Sequence, residues 1–69
     1  MSQKIRQLES ALASAGFIHQ PGKGSHRKWV HPTGITLVMS GQSGQDAHRY
    51  QERDTARKIA EAQSKNPQP

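Results

Sequence analysis

The chain predicts a small α+β domain in the order helix, three strands, helix, with an antiparallel sheet carrying both helices on one face. Three observations lead there. Apolar residues recur at helical spacing near each end of the chain. Between them lie short alternating segments separated by Pro-Gly and Pro-Thr-Gly turn signals. Only 30% of the 69 residues are hydrophobic, enough for one core between two layers and no more.

Ile5, Leu8, Leu12 and Ala15 mark the first helix, expected from about Gln3 to Ala15. Ser2 can cap its start, and Gly16 stands where a left-handed C-terminal cap belongs. Phe17 to Gln20 reads as a first strand, and Pro21-Gly22-Lys23-Gly24 as the turn after it. Ser25 to His31 is the second strand, and Pro32-Thr33-Gly34 turns the chain again. Ile35 to Met39 is the third strand, with Ile35, Leu37 and Met39 on one face and Thr36 and Val38 on the other. Links this short pair strands as an antiparallel meander.

The last helix is harder to phase. Ala56, Ile59, Ala60 and Gln63 share a face, and extending it backwards would bury Arg49. The expectation is therefore a helix from about Asp54, as N-cap, to Ser64, with Asp54 and Lys58 as a favourable i,i+4 pair. Residues 46–53 form a turn or a short preceding helix, unless a single helix runs from Asp46. Residues 1–64 then make one domain, and 65–69 a fraying tail that Pro67 keeps from being helical.

Composition narrows the function. There are no cysteines, which rules out disulfides and thiolate zinc sites and fits the cytoplasm. No apolar run approaches the ~18–20 residues of a membrane span. The net charge of +5 suits either solubility or nucleic-acid binding. A core this small leaves no room for a deep pocket, so a substrate must lie on the surface.

Gly22-Lys23-Gly24-Ser25-His26-Arg27-Lys28-Trp29 is the most informative stretch. Alternation sends Ser25, Arg27, Trp29 and His31 one way, and His26, Lys28 and Val30 the other. Trp29 belongs in the core or at its rim, which leaves His26 and Lys28 on the open face. A ribose 2′-hydroxyl beside a phosphate is a built-in nucleophile, so cutting RNA needs no metal. An imidazole, which ordinarily titrates near neutrality, can move the proton. His26 suits that acid or base, Lys23, Arg27 and Lys28 suit the phosphate, and amides at Gly22 and Gly24 can add donors. Ser25 can donate a hydrogen bond or orient the imidazole. The plainer alternatives are a turn for the glycines and a solvated histidine on a short strand.

Other chemistries fit less well. The Gly-Lys-Gly-Ser run lacks the phosphate-loop spacing and leads into a strand, which argues against a nucleotide cofactor. His26 and His31 point to opposite faces, and His19 with His31 would give only two ligands, so no metal is expected. Arg49, Arg53 and Arg57 stand four apart and form a ridge if that segment is one helix; such a ridge can follow a nucleic-acid backbone.

Taken in order, Gly16-Phe17, Gly24-Ser25-His26, Trp29, His31-Pro32-Thr33-Gly34 and then Thr55-Ala56-Arg57-Lys58-Ile59 resemble the HicA toxin family of type II toxin–antitoxin systems. The resemblance runs from the first helix to about Gln63. It implies a double-stranded-RNA-binding-domain-like fold, mRNA-cleaving endoribonuclease activity, and a HicB-type antitoxin partner. It places the functional histidine at His26. RNA-binding domains of this chain order use cations at the start of the second helix, here Arg57 and Lys58. The sequence departs from the family after the third strand. Met39-Ser40-Gly41-Gln42 stands where members carry proline and then histidine, and residues 41–53 are longer and differently charged. His48 is a candidate to replace that histidine in space. The competing classes are a non-catalytic RNA-binding module and an inactive relative that only binds an antitoxin.

Overall fold

The computed structural model of the chain describes residues 3–21 and 26–65. Helix α1 spans Ile5–Ser14, strands β1, β2 and β3 span Ile18–Pro21, Arg27–Val30 and Thr36–Met39, and helix α2 spans Arg49–Lys65. The sheet order is β1-β2-β3, antiparallel throughout. The predicted architecture is therefore the observed one, with the first strand shifted by one residue and the second and third shorter than their patterns suggested.

Helix α1 turns Ile5, Leu8 and Leu12 inward. Burying each of these is worth about 1.5–3 kcal/mol. Its start is held from outside. The Ile5 and Arg6 N–H groups donate to the Gln45 and Ser43 carbonyls at 2.9 and 3.0 Å. The Lys4 N–H donates to Gln7 Oε1 at 2.7 Å. These bonds satisfy donors that a helix N-terminus leaves free. Lys4, not Ser2, occupies the N-cap position, and Ser2 lies outside the described residues. The far end closes as expected on Gly16, at φ +100°. Phe17 N–H reaches back to the Leu12 carbonyl and Gly16 N–H to that of Ala13, the paired bonds of a Schellman cap.

The turn between β2 and β3 is built around His31. Its N–H donates to the Ile35 carbonyl, and its own carbonyl accepts from Gly34 N–H, both at 2.8 Å. Its Nδ1 accepts the Thr33 N–H at 3.1 Å and lies 2.9 Å from the Thr33 hydroxyl. The ring is buried against Phe17, with centroids 5.0 Å apart, and beside Gly16, where an added Cβ would sit 3.2 Å from Nε2. Gly16-Phe17 and His31-Pro32-Thr33-Gly34 are thus one packing unit joining the end of α1 to the β2–β3 turn.

Helix α2 corrects the sequence expectation. It is continuous from Arg49, so Asp54 lies in its interior and is no N-cap. Asp54 pairs with Arg57 at 3.0 Å, not with Lys58. The buried stripe is Gln51, Thr55 and Ala62 with Ile59 half-buried, while Arg49, Ala56 and Ala60 face solvent. Apolarity misplaced the phase because the stripe's first two turns are polar. Gln51 is tolerated inside because its amide donates to the Ser40 carbonyl at 3.2 Å and its Oε1 accepts His48 N–H at 2.8 Å.

Both helices contribute to one core, Ile5, Leu8, Leu12, Phe17, Trp29, Ile35, Met39, Ala47 and Ala62, on one side of the sheet. At its rim, Glu9 Oε2 accepts from Arg27 Nε at 2.6 Å and from Trp29 Nε1 at 3.2 Å.

Candidate functional site

The other side of the sheet is uncovered. Its side chains fall in two cross-strand rows, Ile18–Val30–Thr36 and Gln20–Lys28–Val38. Ile18 and Val38 are 62% and 58% exposed, and Lys28 is exposed between Gln20 and Val38. His26 precedes β2, is exposed, and by alternation shares the face of Lys28. The register also locates it laterally. Arg27 pairs with Met39, so the same register carried one residue further sets His26 opposite Ser40, at the end of β3.

The candidate residues do not all gather here. Arg27 turns to the helix-covered side, where Glu9 holds its Nε and the Gly41 carbonyl accepts from Nη2 at 2.6 Å. Arg57 and Lys58 sit on α2, also on the covered side of the sheet, with Arg57 paired to Asp54. His19 is cross-strand from Trp29, with ring centroids 5.1 Å apart, and so does not meet His31. Gly22, Lys23, Gly24 and Ser25 lie outside the described residues. On the open face the structure places Lys28 among exposed aliphatic side chains, and His26, exposed just before β2, joins it if the alternation of the strand continues one residue.

Two features escaped the sequence. One is the Glu9–Arg27–Trp29 cluster, whose members are too far apart in sequence for spacing to reveal. The other is a cleft of about 500 Å³ between the β3–α2 connection and the start of α1, lined by Lys4, Ser40, Asp46, His48 and Tyr50 among others. The continuity of α2 does produce the ridge of Arg49, Arg53 and Arg57, all exposed.

Among the described residues no three His, Cys, Asp or Glu side chains form a group that could hold a metal. No described helix is long and apolar enough to cross a membrane.

The arrangement defines a class: a two-layer α+β domain with a bare sheet face that exposes a lysine, and an exposed histidine just before the same strand. Comparison with protein families narrows it further. The family described as HicA toxin of bacterial toxin–antitoxin matches residues 5–61, most of the chain. The chain belongs to that family and is thus a toxin of a toxin–antitoxin system, with an antitoxin as its partner. A comparison with curated proteins finds no match.

Proposed function

We propose that the protein is a metal-independent mRNA endoribonuclease that acts in the cytoplasm, with His26 as general acid and base. The observation that carries this reading is the exposure of His26 just before the strand that exposes Lys28 on an uncovered sheet face, in a chain of the HicA toxin family. A strand of RNA is too large for any enclosed pocket of this domain, but it fits an open face.

The ribose 2′-oxygen bonds to phosphorus as its proton passes to the His26 imidazole. The bond from phosphorus to the 5′-oxygen breaks, and that oxygen takes a proton back from the imidazolium. The imidazole ends neutral, and the RNA ends as a 2′,3′-cyclic phosphate and a 5′-hydroxyl. Lys28 offsets the charge that builds on the phosphoryl oxygens. Lys23, Gly24 and Ser25, next in the chain to His26, contribute a cation, an amide and a hydroxyl to the same phosphate. Arg57 and Lys58 hold more distant parts of the strand. Arg27 acts on RNA through the strand it braces against Glu9.

A HicB-type antitoxin covers the open face. Exposed Ile18 and Val38 give such a partner apolar anchors on either side of Lys28. Covering His26 is the simplest way to silence the toxin.

The test is the chemistry of the cut ends. With a chelator present, the protein is expected to cut a long single-stranded RNA and leave cyclic phosphates, and methylating the 2′-oxygens abolishes cutting. Cleavage of the methylated strand, or dependence on magnesium, would refute this mechanism. RNA binding without cutting would favour a non-catalytic module.

A further inference from the structure

We propose that His48 and Tyr50 form a base-stacking platform that holds a nucleotide of the RNA strand beside the phosphate at His26. The inference rests on the endoribonuclease reading above and adds a binding subsite to it.

The two rings are 5.7 Å apart and inclined by only 12°, a stacked pair at the start of α2. Both residues are exposed, Tyr50 by 57%, so the pair keeps ring surface for a further layer. Burial does not account for the stack, because neither ring belongs to the core. Its backbone is fixed in place: His48 N–H donates to Gln51 Oε1 at 2.8 Å, and the His48 carbonyl accepts from Gln51 N–H and Glu52 N–H at 2.9 and 3.1 Å. Rings already stacked on each other from an anchored backbone offer an outer face to a base, and they accept any base because every base has a π-face.

Position ties the platform to the catalytic face. Ser40, the register position opposite His26, lines the 500 Å³ cleft together with His48 and Tyr50. Tyr50 and Val38 line a second, smaller crevice along β3, and Val38 is the cross-strand partner of Lys28. A strand lying across His26 and Lys28 therefore meets Tyr50 as it passes over the β3 edge.

The charge around the platform suits a polyanion. The neighbouring acids are engaged: Asp46 by Lys4 at 2.6 Å, Asp54 by Arg57 at 3.0 Å, and Glu52 Oε2 by Gln3 N–H at 2.8 Å. Arg49 and Arg53 are exposed and make no ion pair among the described residues. Arg53 follows Tyr50 by three residues, so the two are neighbours on the helix surface. Cations beside a stacking ring are the usual means of gripping single strands without reading sequence.

The experiment measures binding apart from cutting, using a short single-stranded RNA methylated at every 2′-oxygen. Stacking is worth ~1–3 kcal/mol per base, so Tyr50→Ala is expected to bind roughly 5–150-fold more weakly than the native protein. Tyr50→Phe keeps the ring and is expected to bind like the native protein. A single abasic site moved along the strand weakens the native protein at one position and leaves Tyr50→Ala indifferent. Thermal unfolding of each variant confirms that the fold is kept, as expected for an exposed side chain. Native-like RNA affinity in Tyr50→Ala overturns the platform while leaving the endoribonuclease reading intact. So does a Tyr50→Phe defect as large as that of alanine, or a loss confined to antitoxin binding. Absence of RNA binding by the native protein overturns both.

Discussion

Arg27 and Lys28 are adjacent cations on one strand, and their replacement by alanine should have opposite consequences. Arg27 donates to Glu9 and to the Gly41 carbonyl, both at 2.6 Å, with side chains of Arg27 and Glu9 only 22% and 15% exposed. A hydrogen bond to a charged group contributes about 1.5–3 kcal/mol. Partial exposure and the Trp29 N–H that remains on Glu9 reduce the sum of two such bonds. Arg27→Ala is therefore expected to cost about 2–3 kcal/mol, much of it from a half-buried carboxylate left short of a cation. In a domain this small that lowers the melting temperature by roughly 10–20 °C. Lys28 is exposed on the open face, so Lys28→Ala is expected to move stability by less than about 0.5 kcal/mol. It weakens RNA binding and flattens its salt dependence by about 0.7–1 in log–log slope. The assay is urea unfolding followed by the single tryptophan and by circular dichroism, with RNA titrations at several salt concentrations. Glu9→Ala and the double variant complete a cycle, in which the two single losses are expected not to add. An Arg27→Ala protein as stable as the native one, with the RNA defect of Lys28→Ala, would refute the division of the strand into a structural and a binding cation.

Other positions give sharp expectations. Gly16→Ala places a Cβ at φ +100° and 3.2 Å from His31 Nε2, and is expected to cost about 1–2 kcal/mol or more, read by chemical denaturation. Gln51→Leu removes the amide that serves Ser40 and His48 and is expected to cost about 1–3 kcal/mol, with amide exchange accelerating first at the start of α2. Cleavage by the native protein is expected to be unchanged by a metal chelator, as product yield over time would record.

Much of this fold was legible because local rules agreed. Gly16 and Gly34 take the positive φ that their places after a helix and in a tight turn require. Strand alternation correctly separated Trp29 from Lys28 and Met39 from Val38. The start of α2 was not legible, because its buried positions are the polar Gln51 and Thr55, and the burial of Gln51 depends on partners supplied by Ser40 and His48. At the site, alternation gave the exposure of His26 and of Lys28. It could not give the fate of Arg27, whose partner Glu9 lies eighteen residues away. Nor could spacing give the stacking of His48 on Tyr50, which depends on where α2 begins. The two histidines of the motif part company once folded: the His31 imidazole is buried at the β2–β3 turn and bonded to Thr33, while His26 is exposed.

The most direct test of the central claim compares the native protein with His26→Ala under single-turnover conditions on one RNA, measuring cutting rate, affinity and unfolding on the same samples. General acid–base catalysis typically contributes ~10²–10⁴-fold, so the variant is expected to cut at least about a hundredfold more slowly, with near-native affinity and stability. A variant that cuts at the native rate, or one that no longer folds, would contradict the assignment of His26 as the proton-transferring group on an open sheet face.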